Sequence, residues 1–214
     1  PYKFVEWKPG EYVKMEANQD YFGGAPKTKY VIMKVIPEAA QRTIALETGE
    51  VDIAYDLSAN DLSKVSENPD LKLLEGTSLS AWFLQFNMKN KPFDNKLVRQ
   101  AVRYAIDSQT IVDTILYGAG EVAGSIIPPI AFGYQDVAKY EYNKEKAKEL
   151  LTQAGYPNGF DAKLYVNDNQ QRIEICQVIQ SQLKEIGIDV EVKVLEFATF
   201  IESTNKGEHD MAYF

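Results

Sequence analysis

The single histidine of this chain, His209, and its single cysteine, Cys176, set a low ceiling on catalytic chemistry. A hydrolytic triad needs an imidazole base. His209 lies in the hydrophilic turn Lys206-Gly207-Glu208-His209-Asp210 ahead of a strand-like run, where a surface histidine is expected. One thiol and one imidazole do not assemble a zinc site in the usual way, and a disulfide within the chain is excluded. Cys176 sits among Ile173, Ile175, Val178 and Ile179, so a small buried thiol is expected there. Three acids in Glu47-Thr48-Gly49-Glu50-Val51-Asp52 have the spacing of a solvated helix end and turn rather than of an acid/base pair. No Gly-x-Ser-x-Gly elbow, phosphate loop or dinucleotide glycine pattern occurs. No catalytic residue, metal or cofactor is therefore expected.

Binding chemistry has better candidates. Trp82-Phe83 stands in an unusually aromatic strand-like run next to a Gly76-Thr77-Ser78 break. Such residues serve a core, where each buries a large apolar area, or line a cleft beside the break. Tyr55-Asp56-Leu57-Ser58 follows directly on a strand-like segment. In open α/β sheets ligands sit at the carboxyl ends of strands, so this loop is either a ligand contact or an ordinary strand-to-helix turn.

The elements that would position these residues read as α/β. Lys3 to Trp7 and Tyr12 to Ala17, joined through Pro9-Gly10, form a hairpin. Lys29 to Ile36 is a strand, Glu38 to Thr48 a helix closed by Gly49, and Val51 to Tyr55 a strand, which makes a βαβ unit with parallel pairing. Asn60 to Val65 is a short helix, Leu71 to Glu75 a strand, and Ser80 to Met88 a long strand. Asp94 is the expected N-cap of a helix carrying Leu97, Val98, Ala101, Val102, Ala105 and Ile106. Asp107-Ser108 opens a second helix running to Gly118. Residues 119 to 141 form an irregular loop, after which Asn143 caps a helix stopped by Gly155. Asp161 to Asn167, Gln170 to Ile186 and Ile188 to Leu195 make another βαβ unit, followed by a helix over Thr199 to Asn205 and a strand over Asp210 to Phe214.

The 214 residues are 45% hydrophobic and 25% charged, ordinary proportions for a globular domain. A formal net charge of -8 opposes binding to nucleic acid or an anionic membrane. The longest apolar stretch is far short of a membrane span. Both ends fall inside strand-like runs, so an incomplete piece of a longer protein is expected.

In order along the chain stand Pro1-Tyr2-Lys3-Phe4, Asn18 to Gly24, Leu46-Glu47-Thr48-Gly49-Glu50-Val51-Asp52-Ile53, Phe86-Asn87, Lys91-Pro92-Phe93-Asp94 and Val98-Arg99-Gln100-Ala101-Val102. Ala105-Ile106-Asp107, Ile127-Pro128-Pro129, Ala147 to Gly155 and Ile186-Gly187-Ile188 follow. This succession resembles the bacterial extracellular solute-binding proteins of family 5, which serve importers for oligopeptides, dipeptides, nickel and related solutes. The resemblance implies a type II periplasmic-binding-protein-like fold, α/β with mixed parallel sheets, whose two lobes close on a ligand by a hinge. Residues 1–78 would belong to the first lobe and 79–214 to the second, with a hinge crossing near 77–82. It also implies an extracytoplasmic location, in the periplasm or as a surface lipoprotein, and membrane permease subunits as partners.

By the same resemblance, Tyr55, Asp56, Leu57 and Ser58 would contact peptide backbone, and Ser80, Ala81, Trp82 and Phe83 would border the cleft. Phe197, Ile201 and Thr204 would line side-chain pockets, with Phe197 and Thr204 standing where some members carry a tryptophan and an arginine. Tyr213 falls where some members carry a carboxylate-binding arginine. The acidic residue that pairs with the ligand's amino group would lie just past Phe214, so these 214 residues alone are expected to bind peptide weakly or not at all. Peptide is the expected ligand. A nickel chelate, a sugar or another small solute is the alternative within the family, and an α/β hydrolase the alternative outside it.

Overall fold

The computed structural model describes residues 1–76, 78–135 and 140–214. Thr77 of the expected break and hinge crossing, and residues 136–139 of the expected irregular loop, lie outside the described residues. Two compact units divide the chain, Pro1–Leu74 and Glu75–Phe214.

In the first unit, Gly10 takes a left-handed φ of 76°, which a residue with no Cβ adopts freely. It turns β1 (Tyr2–Lys8) back as β2 (Tyr12–Ala17), and β3 (Tyr30–Lys34) adds to β2's other edge, giving an antiparallel sheet in the order β1-β2-β3. Helix α1 (Ala39–Glu47) ends as expected at Gly49, whose φ is 74°, and α2 (Ala59–Glu67) follows. Val51 to Tyr55 is not a strand, so this unit has no βαβ module and no parallel pair. The backbone N–H groups of Glu50 and Val51 both donate to the Ala45 carbonyl, at 2.8 and 3.1 Å. The chain is thereby wrapped onto the helix end, and Ile53 is left 83% exposed with no sheet edge to join. Leu71 to Glu75, also expected as a strand, runs without ladder partners.

The second unit is built on β4 (Leu84–Phe86), β5 (Phe160–Asn167), β6 (Ile188–Leu195) and β7 (Met211–Tyr213), in the order β4-β7-β5-β6. Strand β5 pairs parallel with β6 and β7, and β4 pairs antiparallel with β7. The expected βαβ unit is present, with α6 (Gln170–Lys184) joining β5 to β6. Helices α3 (Lys96–Ala105), α4 (Ser108–Thr114) and α5 (Lys144–Gln153) precede it, and α7 (Phe197–Lys206) joins β6 to β7.

The apolar spacing of these helices fills one core. Val98, Ala101, Val102 and Ala105 of α3, Leu150 and Leu151 of α5, and Ile175, Cys176, Ile179 and Leu183 of α6 meet Ala162, Leu164 and Val166 of β5. Cys176 is buried as expected, and burial pushes its thiol up to about 12, so it stays an inert apolar filler. The right-handed return from β6 over β5 to β7 puts α7 on the other face of the sheet, where Phe200 is fully buried.

Two expected boundaries differ. The strand over Ser80 to Met88 shrinks to Leu84–Phe86, because β7 offers only three residues to pair with. One further exchange of hydrogen bonds, between the backbones of Phe83 and Phe214 at 3.1 Å each way, extends the ladder. The N-cap of α3 is Asn95, not Asp94: its Oδ1 accepts from Leu97 N at 2.9 Å. The turn after Pro92 takes one residue more than the sequence suggests, with Asn95 N donating to the Pro92 carbonyl.

Candidate functional site

Strand β5 is the point from which the second unit's sheet is wound in both directions: α6 leads from it to β6 on one side, and α7 returns over it to β7 on the other. The crevice outside the carboxyl ends of β5 and β7 is thus the place where an α/β sheet offers a ligand site. Asn167 ends β5 there and Tyr213 ends β7.

Asn167 is buried, and its Oδ1 accepts from Arg172 Nη1 at 3.1 Å. The Arg172 guanidinium in turn lies 5.4 Å from the centroid of the Trp82 ring, an attraction between cation and π-face. Tyr213 is buried beside these groups, and loss of solvent holds its hydroxyl well above the ordinary phenol range, so it is a neutral donor. Next to it the Phe214 ring stacks on Phe83 at 5.6 Å and meets Phe200 of α7 at 4.9 Å. Aromatic faces, one cation and neutral polar groups therefore converge on one edge, which can bind an anionic or amphipathic ligand and has no nucleophile–base pair.

Of the sequence-derived candidates, Trp82, Phe83 and Tyr213 are brought together at this edge. Ala81 is half-buried, and Ser80 is exposed, its N–H turned to Ser78 Oγ at 2.9 Å. Phe197, Ile201 and Thr204 lie along α7. Phe197 is exposed, and the Thr204 hydroxyl is used by its own helix, donating to the Phe200 carbonyl at 2.8 Å.

Tyr55 to Ser58 belong to the first unit. Tyr55 is 74% exposed, and Asp56 takes a left-handed φ of 58°, an uncommon conformation for a residue other than glycine. Arg42 holds this bend: Nη2 donates to the Asp56 carbonyl at 2.5 Å, and Nη1 to the carbonyls of Ile36 and Pro37. Ser58 Oγ donates to the buried Asp61 carboxylate, which also takes hydrogen bonds from Lys64 and Thr43. The Lys64 and Ser58 bonds hold Asp61 below the usual carboxylate range. The loop is a braced turn whose Tyr55 ring and Asp56 carboxylate point to solvent.

Arg172 and Asn167 were not singled out from sequence. The carboxyl-end rule had been applied to the segment before Tyr55, which is no strand; applied after β5 it finds both residues.

His209 departs most from expectation. It is 3% exposed, not on the surface, and neither ring nitrogen has a hydrogen-bond partner. Asn87 Nδ2 donates to the carbonyls of Gly207 and His209, and Asn90 Nδ2 to His209 and Asp210. These amides draw the hydrophilic turn inward, so the imidazole packs by Tyr165 at 6.2 Å. Burial lowers its pKa from the ordinary 6.5 despite the neighbouring Asp210. The unfolded chain therefore binds this proton more readily, and the histidine's contribution is intact above about pH 6.5 and lost as pH falls below it. Urea midpoints at pH 7.5 and 5.5 should fall further for the wild type than for His209→Phe. Equal falls would show that the imidazole is not the titrating group.

Among the described residues no cluster of three or more His, Cys, Asp or Glu side chains could hold a metal, and no helix is long and apolar enough to cross a membrane.

Residues 1–214 match the family described as bacterial extracellular solute-binding proteins, family 5 Middle. The chain is 38% identical over 226 residues to the oligopeptide-binding protein AppA of Bacillus subtilis, covering 98% of this chain and 41% of that protein. It is 32% identical to heme-binding protein A of Haemophilus influenzae, covering 97% of this chain and 39% of that one. Among solved structures, the periplasmic binding protein DppA of Helicobacter pylori in complex with the peptide STSA aligns with a TM-score of 0.92 at 34% identity, over all of this chain and 42% of that one. The chain thus spans about two fifths of the length of these relatives.

Proposed function

The chain belongs to the bacterial extracellular solute-binding proteins of family 5, and from that premise we propose that it is part of the ligand-capturing component of an ABC importer whose cargo is a peptide. Residues 1–78 are then a portion of one lobe and 79–214 most of the other, the crossing near 77–82 acts as hinge, and ligand is held between them. Tyr55 to Ser58 present backbone and side-chain groups from the first lobe; Trp82, Phe83 and Tyr213 do so from the second. The component works outside the cytoplasm, periplasmic or lipid-anchored, and delivers ligand to membrane permease subunits without chemical change to it.

The observation that carries this reading is the convergence of Trp82, Asn167, Arg172 and Tyr213 on the carboxyl edge of the second unit's sheet. Aromatic faces accept side chains of many kinds, and backbone polar groups bind a peptide without regard to its sequence. The likeness to AppA of Bacillus subtilis and to DppA of Helicobacter pylori supports peptide over other solutes. The 32% identity to a heme-binding protein supports a tetrapyrrole as the second reading.

Titration calorimetry of the protein as its gene encodes it, against tri- to pentapeptides and against haemin, separates the two. Peptide binding is expected, with Trp82→Ala weakening it about tenfold or more. Binding of haemin and of no peptide would replace the first reading with the second.

A further inference from the structure

Arg172 is placed where a helix does not want it. It stands in the first turn of α6, behind the N-cap Asn169, where the helix macrodipole disfavours a cation. An ordinary surface arginine there would gain by turning to a carboxylate, yet among the described residues none lies within 4.0 Å of its guanidinium. Instead it is half-buried, laid over the Trp82 ring at 5.4 Å and steered by the buried Asn167 through Nη1. Of its five N–H groups this bond takes one. Its other nitrogens are not among the buried side-chain atoms left without a partner, so they meet solvent.

A cation held in one orientation by a ring and an amide, with its fork of donors open, is preorganised for a planar anion. Tyr213 beside it adds a neutral hydroxyl donor, and no acidic side chain of the edge competes with the anion. We infer that Arg172 is the site's carboxylate anchor, taking the free carboxylate of the bound ligand in a paired hydrogen bond, with Asn167 and Trp82 as its positioning residues. The inference rests on the peptide reading for one source of that carboxylate, the peptide C-terminus. The propionates of a tetrapyrrole are the other source of the same chemistry.

The test compares a tight-binding peptide, as free acid and as C-terminal amide, on the full protein and on Arg172→Gln and Arg172→Lys. On the wild type, amidation is expected to weaken binding by about tenfold to a hundredfold. Arg172→Gln should weaken the acid by a similar factor while leaving the amide nearly unchanged, because both changes remove the same contact. Arg172→Lys should recover part of the loss, as a point charge without the fork. Unchanged thermal melting of the variants shows that the loss is not one of folding. If Arg172→Gln weakens acid and amide equally, or neither, the anchor is overturned while peptide binding itself stands.

A wild type that binds no peptide overturns the peptide reading instead. The same variants are then compared on haemin and its dimethyl ester, where loss of the acid-over-ester preference in Arg172→Gln supports the anchor and its persistence overturns it. If the wild type binds neither ligand class, both the reading and the anchor fall.

Discussion

Phe93→Ala is expected to destabilise the second unit by about 3–5 kcal/mol, the range for deleting a large aromatic from a close-packed core. Phe93 is completely buried, stacks on Phe86 at 5.6 Å and meets Phe160 edge-on at 5.7 Å. Phe160 in turn meets Tyr156 at 5.4 Å. One ring thus ties β4, the turn into α3 and the start of β5 together, and β4 bears the polypeptide that presents Trp82 and Phe83. Truncation leaves a cavity that the backbone turn after Pro92 cannot close by repacking. Urea denaturation measures the loss. Phe197→Ala, on an exposed side chain of α7, should cost within about 0.5 kcal/mol, and a Phe93→Ala cost as small as that would refute the structural role assigned here.

Gly159→Ala is expected to be similarly damaging for a different reason. Gly159 has a φ of 78°, and a Cβ built there would stand 1.8 Å from the carbonyl oxygen of Gly187. The obstacle is backbone, so it yields only if the entries to β5 and β6 move apart. Left-handed strain of about 1–2 kcal/mol adds to an overpacking cost of about 1–3 kcal/mol. Gly155→Ala isolates the first part: its φ is 91° and nothing lies within 4 Å of its Cβ position, so only strain should appear. Comparable urea midpoints for the two variants would show that the close approach of Gly159 to Gly187 does not constrain the fold.

These two sites mark where the sequence stops speaking. Gly187 was legible as a helix terminator, because a glycine after an amphipathic run has a local meaning. Gly159 was not, because its reason lies 28 residues downstream, in the carbonyl it must pass. Likewise β5, α6 and β6 were readable from Asn169 and from the spacing of Ile175, Ile179 and Leu183, all local signals. Val51 to Tyr55 alternates as a strand does, but alternation reports which faces could be buried and not whether an edge exists to pair with. His209 looked hydrophilic with its neighbours, and only the amides of Asn87 and Asn90, far away in sequence, reveal why it is inside. In the candidate site, Trp82, Phe83 and Tyr213 stood out by type. Arg172 did not, because a lone arginine is remarkable only for the carboxylate that is missing beside it.

The tether from Asn87 to the carbonyls of Gly207 and His209 spans about 120 residues of chain, and β4 has no partner but β7. Closing so long a loop is entropically costly and kinetically late. On the ribosome the delay is enforced: at about 5–20 residues per second, β4 waits on the order of ten seconds for β7 to be made. Throughout that interval Trp82, Phe83 and Phe86 are unpaired, presenting an extended aromatic segment of the kind that chaperones retain. In a protein bound for export that delay is useful, since a chain must still be unfolded when it reaches a translocase that threads it. The same strand that later carries one side of the candidate site thus also times when the site comes into being.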